Sequence, residues 1–173
     1  MVAYSLGLKH QVIIDVFIIA GGFVLRAAAG AVAISVPVSP WLYVCTVLGA
    51  LFVALAKRRS ELTLLQAGAG SHRRNLDEYS IALVDQMINV VTPSTVIAYS
   101  LYTFTAGSLP GNRAMMVTIP FVLYGVFRYL YLVHARNLGG SPEEVLFSDR
   151  PLIACILLWL LTSAGVLVAF RGG

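Results

Sequence analysis

Charge is scarce in this sequence. Of its 173 residues only 12% are Asp, Glu, Lys or Arg, against 58% apolar ones, and the mean hydropathy is +0.83. That balance excludes a water-soluble globule of ordinary composition, so the solvent is lipid. Cysteine is nearly absent as well. Cys45 and Cys155 both sit inside long apolar runs, where a buried small hydrophobe is expected rather than a disulfide or a metal ligand. Gly/Ser linkers, low-complexity tracts and tandem repeats are missing, so residues 1–173 are expected to form one continuous transmembrane bundle. The opening stretch Met1 to His10 is too polar and too short for a signal peptide, and no small-residue cleavage site follows a short apolar core. Gly68-Ala69-Gly70 lacks the Lys-Ser/Thr and the preceding strand of a phosphate-binding loop and reads as a plain connection. Clustered metal ligands are lacking too. His10, His72 and His134 show no metal-ligand spacing, and the acids are scattered, with Asp77-Glu78 and Glu143-Glu144 adjacent rather than on one helical face.

Long hydrophobic runs are abundant. Gln11 to Ser35, Pro40 to Ala56, Ile81 to Ala106, Ala114 to His134 and Pro151 to Phe170 each approach the roughly 20 residues that cross a ~30 Å hydrocarbon core. Unpaired backbone groups are so costly in lipid that such runs must be helices, which predicts an all-α bundle of about five spans. The second run is short at its polar end and is expected to extend into the next connection. Pro93, in the middle of the third run, predicts a kink or break, and Pro120 the same near the start of the fourth. Gly21, Gly22 and Gly30 are expected where helices approach closely or bend. Trp41, Tyr43, Tyr102 and Phe104 mark an outer aromatic belt.

The connections differ sharply between the two sides. Residues 36–39 carry no charge and residues 107–113 only Arg113. Residues 57–80 contain Lys57, Arg58, Arg59, Arg73 and Arg74, and residues 135–150 add Arg136 and Arg150. With Lys9, eight of the twelve Lys/Arg residues fall on one face, which predicts a cytoplasmic N-terminus and an external C-terminus. Lys9-His10, Lys57-Arg58-Arg59 and His72-Arg73-Arg74 are expected to converge on one mouth. Arg forks and Lys point charges at a membrane boundary suit phosphate groups, whether of a substrate or of anionic lipid. A juxtamembrane basic cluster with a Lys57 to Glu61 pair is the plainer account of the same residues. Within the spans, Asp15 and Arg26 are eleven residues apart, close to three turns, and therefore share a face of the first helix. Arg26 lies deep enough to require a partner or a wet cavity. Asp85 and Asn89 form a second polar stripe.

Several separated motifs resemble one family. They are Tyr4-Ser5-Leu6-Gly7-Leu8-Lys9-His10, Asp15, Gly22-Phe23-Val24-Leu25-Arg26, Lys57-Arg58 with Glu61-Leu62, Arg73 to Tyr79, Pro142-Glu143 and Asp149-Arg150. In this order they resemble the C-terminal half of the phosphoribosyl-transferring branch of the UbiA superfamily of polytopic prenyltransferases. The resemblance implies the last five helices of a nine-helix bundle in a bacterial plasma membrane. It also implies a reaction in which a polyprenyl phosphate attacks phosphoribosyl pyrophosphate and releases pyrophosphate with magnesium. Position by position, it places Tyr4, Lys9, Lys57, Arg58, Arg73 and Arg74 at substrate phosphates, Arg26 in the cavity wall, and Asp15 and Glu61 as orienting or catalytic acids. The family's first aspartate-rich, magnesium-holding motif has no match here, so the main metal ligands are expected outside this sequence, on a complementary chain or a missing segment, and the chain alone is expected to be inactive. Two other classes remain open, a non-catalytic membrane remnant or scaffold and an anion transporter subunit, although the inverted repeats common in transporters are not seen.

Overall fold

Runs of about twenty apolar residues have one economical way to satisfy their backbone in lipid, and the chain takes it. The computed structural model describes residues 13–33, 35, 40–66, 80–106, 109, 113–136 and 142–170. They fold as α1 (Ile14–Ala33), α2 (Pro40–Gln66), α3 (Ile81–Thr105), a 3₁₀ turn (Ala114–Thr118) leading into α4 (Ile119–Ala135), a short α5 (Pro142–Ser148) and α6 (Arg150–Ala169). No strand occurs among the described residues. All five expected spans are present, over Ile14–Ala33, Pro40–Leu64, Ile81–Thr105, Ala114–Ala135 and Arg150–Ala169, and the chain is an integral membrane protein. Local chemistry fixes the helix starts. Ser80 caps α3 by accepting from the Leu83 amide, and Asp149 caps α6 by accepting from that of Leu152.

As expected, the second helix extends past Ala56, running to Gln66, and its charged turns find partners on neighbouring helices. Three other expectations need correction. Pro93 does not break α3, which is continuous through it. Around that proline, Thr92, Ser94 and Thr95 donate to the carbonyls of Ile88, Val90 and Val91, supplementing the ladder the proline interrupts. Pro120 sits in the first turn of α4, where its missing N–H costs nothing, and it marks the change from 3₁₀ turn to α-helix. Finally, Gly21, Gly22 and Gly30 are not at close helix contacts, since no atom lies within 4 Å of where a Cβ would stand.

The helix at the centre is α2, which packs against both α1 and α3, while α6 lies along α4. Its small residues Ala50, Ala54 and Ala56 are buried and let the neighbours come near. Phe52 of α2 meets Tyr129 of α4 with ring centroids 5.3 Å apart. The core gathers at one end of the bundle, from Val16 and Ala20 through Leu55 and Leu62 to Val84, Ile88, Val133 and Leu152. At the other end a polar staple holds three elements. The Trp159 indole N–H donates to the Tyr99 hydroxyl at 2.8 Å, which in turn pairs with the Thr118 hydroxyl at 2.6 Å. Much of the remaining surface is apolar, Val32, Leu25 and Val168 each being more than 70% exposed, as a lipid-facing exterior requires.

Candidate functional site

The first turn of α1 carries Asp15, an acid well placed at a helix N-terminus, where one carboxylate oxygen accepts from the Val16 amide at 2.8 Å. From α2, Arg58 reaches the other oxygen of Asp15 with one guanidinium nitrogen. A second nitrogen donates to Glu61, one turn further along α2, at 2.6 Å. Asp15 is 2% exposed and Arg58 8%, so this is a buried ionic group in which a planar fork is held between two carboxylates. Sequence position brings none of this together, since Asp15 and Arg58 are 43 residues apart. Glu61 engages Arg58 at i,i+3, where a Lys57 to Glu61 pair was expected.

Arg59, turned about 100° from its neighbour, faces the other way. Its Nε donates to Asp85 of α3 at 2.7 Å, and a further nitrogen donates to the Val133 carbonyl of α4 at 3.4 Å. His134 approaches the same Asp85 oxygen through Nε2 at 3.3 Å, while its Nδ1 lies 3.0 Å from the Leu130 carbonyl. Both ring nitrogens face acceptors, so only the doubly protonated ring donates to both. The three cations expected to act as one cluster therefore diverge. Arg58 braces α1, Arg59 braces α3 and α4, and Lys57 is exposed with no ion pair among the described residues. Arg59, Asp85 and His134 were not singled out as site residues. The available signal was opposite charge at the same end of two successive helices.

A third ionic contact frames the site. Arg128 of α4 grips Asp149 through both carboxylate oxygens, at 3.0 and 2.8 Å, and lies over the Tyr131 ring. The Arg128 guanidinium holds the Asp149 carboxyl below the usual carboxylate range, and the Leu152 amide adds to the effect. Since Asp149 also caps α6, this pair fixes α6 on α4.

Arg26 does not join Asp15. Contact between α1 and α2 runs through Val16 and Ala20 and then Val24 and Ala31, which leaves Arg26 exposed, over the Phe23 ring at 5.6 Å. The eleven-residue spacing does place the two on one side of α1, but only at Asp15 does Arg58 cover it. Asn89, paired with Asp85 in the sequence pattern, is exposed. Tyr4, Lys9, Arg73 and Arg74 lie outside the described residues.

Beside the Asp15–Arg58 contact an apolar groove of about 300 Å³ opens between α1, α2 and α3, lined by Val16, Phe17, Leu55, Met87 and Val90 among others. No group of three or more His, Cys, Asp or Glu side chains able to hold a metal ion occurs among the described residues. Asp15 and Glu61 flank a guanidinium that already offsets their charge, so these two acids do not fit a magnesium site.

Five membrane-crossing helices whose described ion pairs collect at one end define a polytopic integral membrane protein. No family model matches the sequence. The chain is, however, homologous to the C-terminal part of proteins named decaprenyl-phosphate phosphoribosyltransferase. It is 31% identical to that of Mycobacterium tuberculosis over 168 residues, covering 97% of this chain and 55% of the relative. Identity is likewise 31% over 167 residues with the protein of Mycolicibacterium smegmatis, covering 91% of this chain and 52% of the relative. For Corynebacterium glutamicum it is 30% over 160 residues, covering 91% and 48% respectively. The chain thus spans about half the length of the curated relatives it matches.

Proposed function

We propose that the chain supplies part of a membrane phosphoribosyltransferase of the UbiA type, which moves 5-phosphoribose from phosphoribosyl pyrophosphate to a polyprenyl phosphate. In that reaction a phosphate oxygen of the lipid bonds to the anomeric carbon of the ribose, and the bond from that carbon to pyrophosphate breaks, the leaving group taking the electron pair. Every participant is a polyanion, so the protein's task is to hold negative charge near the membrane surface. The observation that carries this reading is the ionic end of the bundle in a chain so similar to the named relatives, with Arg58 oriented by two acids and Lys57 exposed one residue away. Lys57 is assigned to a phosphate as a point charge, and Arg58, whose two terminal nitrogens Asp15 and Glu61 hold in place, to the same phosphates through its remaining N–H groups. Tyr4, Lys9, Arg73 and Arg74 are assigned to the same phosphates. The neighbouring apolar groove suits the first isoprene units of the acceptor.

Magnesium is assigned to ligands beyond the described acids, and the basic end to the cytoplasmic side of a bacterial plasma membrane. A complementary polypeptide or segment is proposed to complete the site, so the chain alone should not turn over. The test places the chain in bilayers with and without the part of the Mycobacterium tuberculosis relative that it does not match. Magnesium, polyprenyl phosphate and ribose-labelled phosphoribosyl pyrophosphate are then added. Label is expected in the lipid phase only when both parts are present, and its absence from both arms would sink the proposal.

A further inference from the structure

Lys57, Arg58 and Arg59 follow one another along α2 at about 100° intervals, so a brace on any one of them fixes the direction of the other two. Arg58 is tied on one side, to Asp15 of α1. Arg59 is tied on another, where its Nε donates to Oδ1 of Asp85 on α3 at 2.7 Å and a terminal nitrogen donates to the Val133 carbonyl of α4 at 3.4 Å. The Arg59 side chain is only 13% exposed, so this contact is screened less than a surface pair. His134 of α4 reaches the same Oδ1 at 3.3 Å, which makes Asp85 the point where α2, α3 and α4 meet. Lys57, about 160° round the helix from Arg59 and about 100° from Arg58, is left exposed.

Rotation of these last turns of α2 is what the two braces resist. At the ~5–6 Å radius of a helix with its side chains, a turn of about 20° carries a side-chain tip about 2 Å. A misplacement of about 1 Å is enough to cost a positioned group much of its effect. We propose that Asp85 is a positioning residue. Through Arg59 it sets the rotation of α2 and thereby aims Lys57 at a phosphate of the sugar donor, without touching the donor itself. This rests on the assignment of Lys57 to a donor phosphate, and it adds an acid on α3 to the groups that govern the anion-holding end.

The test measures binding of ribose-labelled phosphoribosyl pyrophosphate to the full chain in bilayers, with magnesium and the part of the Mycobacterium tuberculosis relative that the chain does not match. Polyprenyl phosphate is left out, so that binding alone is read. Asp85→Ala is expected to weaken donor binding about three- to tenfold, and Asp85→Glu, which keeps the charge, to recover most of the loss. The double variant Lys57→Ala/Asp85→Ala should bind no more weakly than Lys57→Ala alone, because the effect of Asp85 passes through Lys57. A merely structural role would instead multiply the two losses. Asp85→Asn, with the same shape and a weaker acceptor, should repeat the pattern at smaller size and decides the matter if the alanine variant fails to fold. Multiplied losses, or Asp85 variants that bind like the unsubstituted chain, overturn the inference while the site assignment stands. If the unsubstituted chain binds no donor, or Lys57→Ala binds it normally, the proposed function fails and the inference fails with it.

Discussion

Adjacent residues on one helix serve different neighbours here, and their substitutions should separate accordingly. Arg58→Ala would leave the buried Asp15 carboxylate without its guanidinium, a change that costs about 3–5 kcal/mol when a buried pair is broken from one side. Unfolding in mixed micelles by added SDS should report that loss, and the double variant Asp15→Asn/Arg58→Met should recover most of it. Lys57→Ala, at an exposed position, should change stability by less than about 0.5 kcal/mol. Under the proposed function it should nonetheless weaken donor binding about tenfold or more, the loss of one phosphate charge contact. Arg113→Ala should leave donor binding unchanged, and equal effects of these two variants would overturn the site assignment. At Asp149 the sign follows from its lowered pKa. The unfolded residue takes up its proton near the ordinary value of about 3.9, while the folded one, held by Arg128, stays ionised to lower pH. Its stabilising contribution is complete above about pH 4 and disappears as pH falls through the folded-state value. Arg128→Met should remove this acid-dependent loss in the same unfolding series.

Element by element, what was legible depended on how much of the information was local. Span length and apolarity are properties of one segment, so the five crossing helices could be read directly. The short helix Pro142–Ser148 is not long enough to announce itself by periodicity and in the sequence is part of the connection 135–150. The extension of α2 to Gln66 was only half legible, because the charged turn from Lys57 to Glu61 looks like a helix end until Asp15 and Asp85 supply partners from other helices. Helix rotation decides which described neighbours Arg26 meets. A spacing of eleven residues fixes which residues share a side of α1 but not which side meets α2. The polar staple at the opposite end was missed for a related reason, since Tyr99, Thr118 and Trp159 come from three elements. Trp159→Phe removes one donor at that end and should cost about 1 kcal/mol. It should leave donor binding untouched, which would set this staple apart from the ionic end in function.

Across the whole molecule, packing and charge are unevenly distributed in the same sense. The buried core and the three ionic contacts lie toward the ends where α2 and α4 finish and α3 and α6 begin, while much of the opposite half presents apolar side chains outward. Alternating helix direction places Lys57, Arg136 and Arg150 at that end and Arg113 at the other. Lysine and arginine are as a rule retained on the cytoplasmic side during insertion, so the proposed orientation puts the ionic end there. Single cysteines at Lys57, Arg136 and Arg113, in a chain with Cys45 and Cys155 replaced by alanine, should test it with a membrane-impermeant maleimide on intact cells. Labelling is expected at position 113 from outside, and at 57 and 136 only after the membrane is opened. The reverse pattern would put the ionic end on the outer surface, away from any cytoplasmic sugar phosphate, and the proposed reaction would then have no donor to act on.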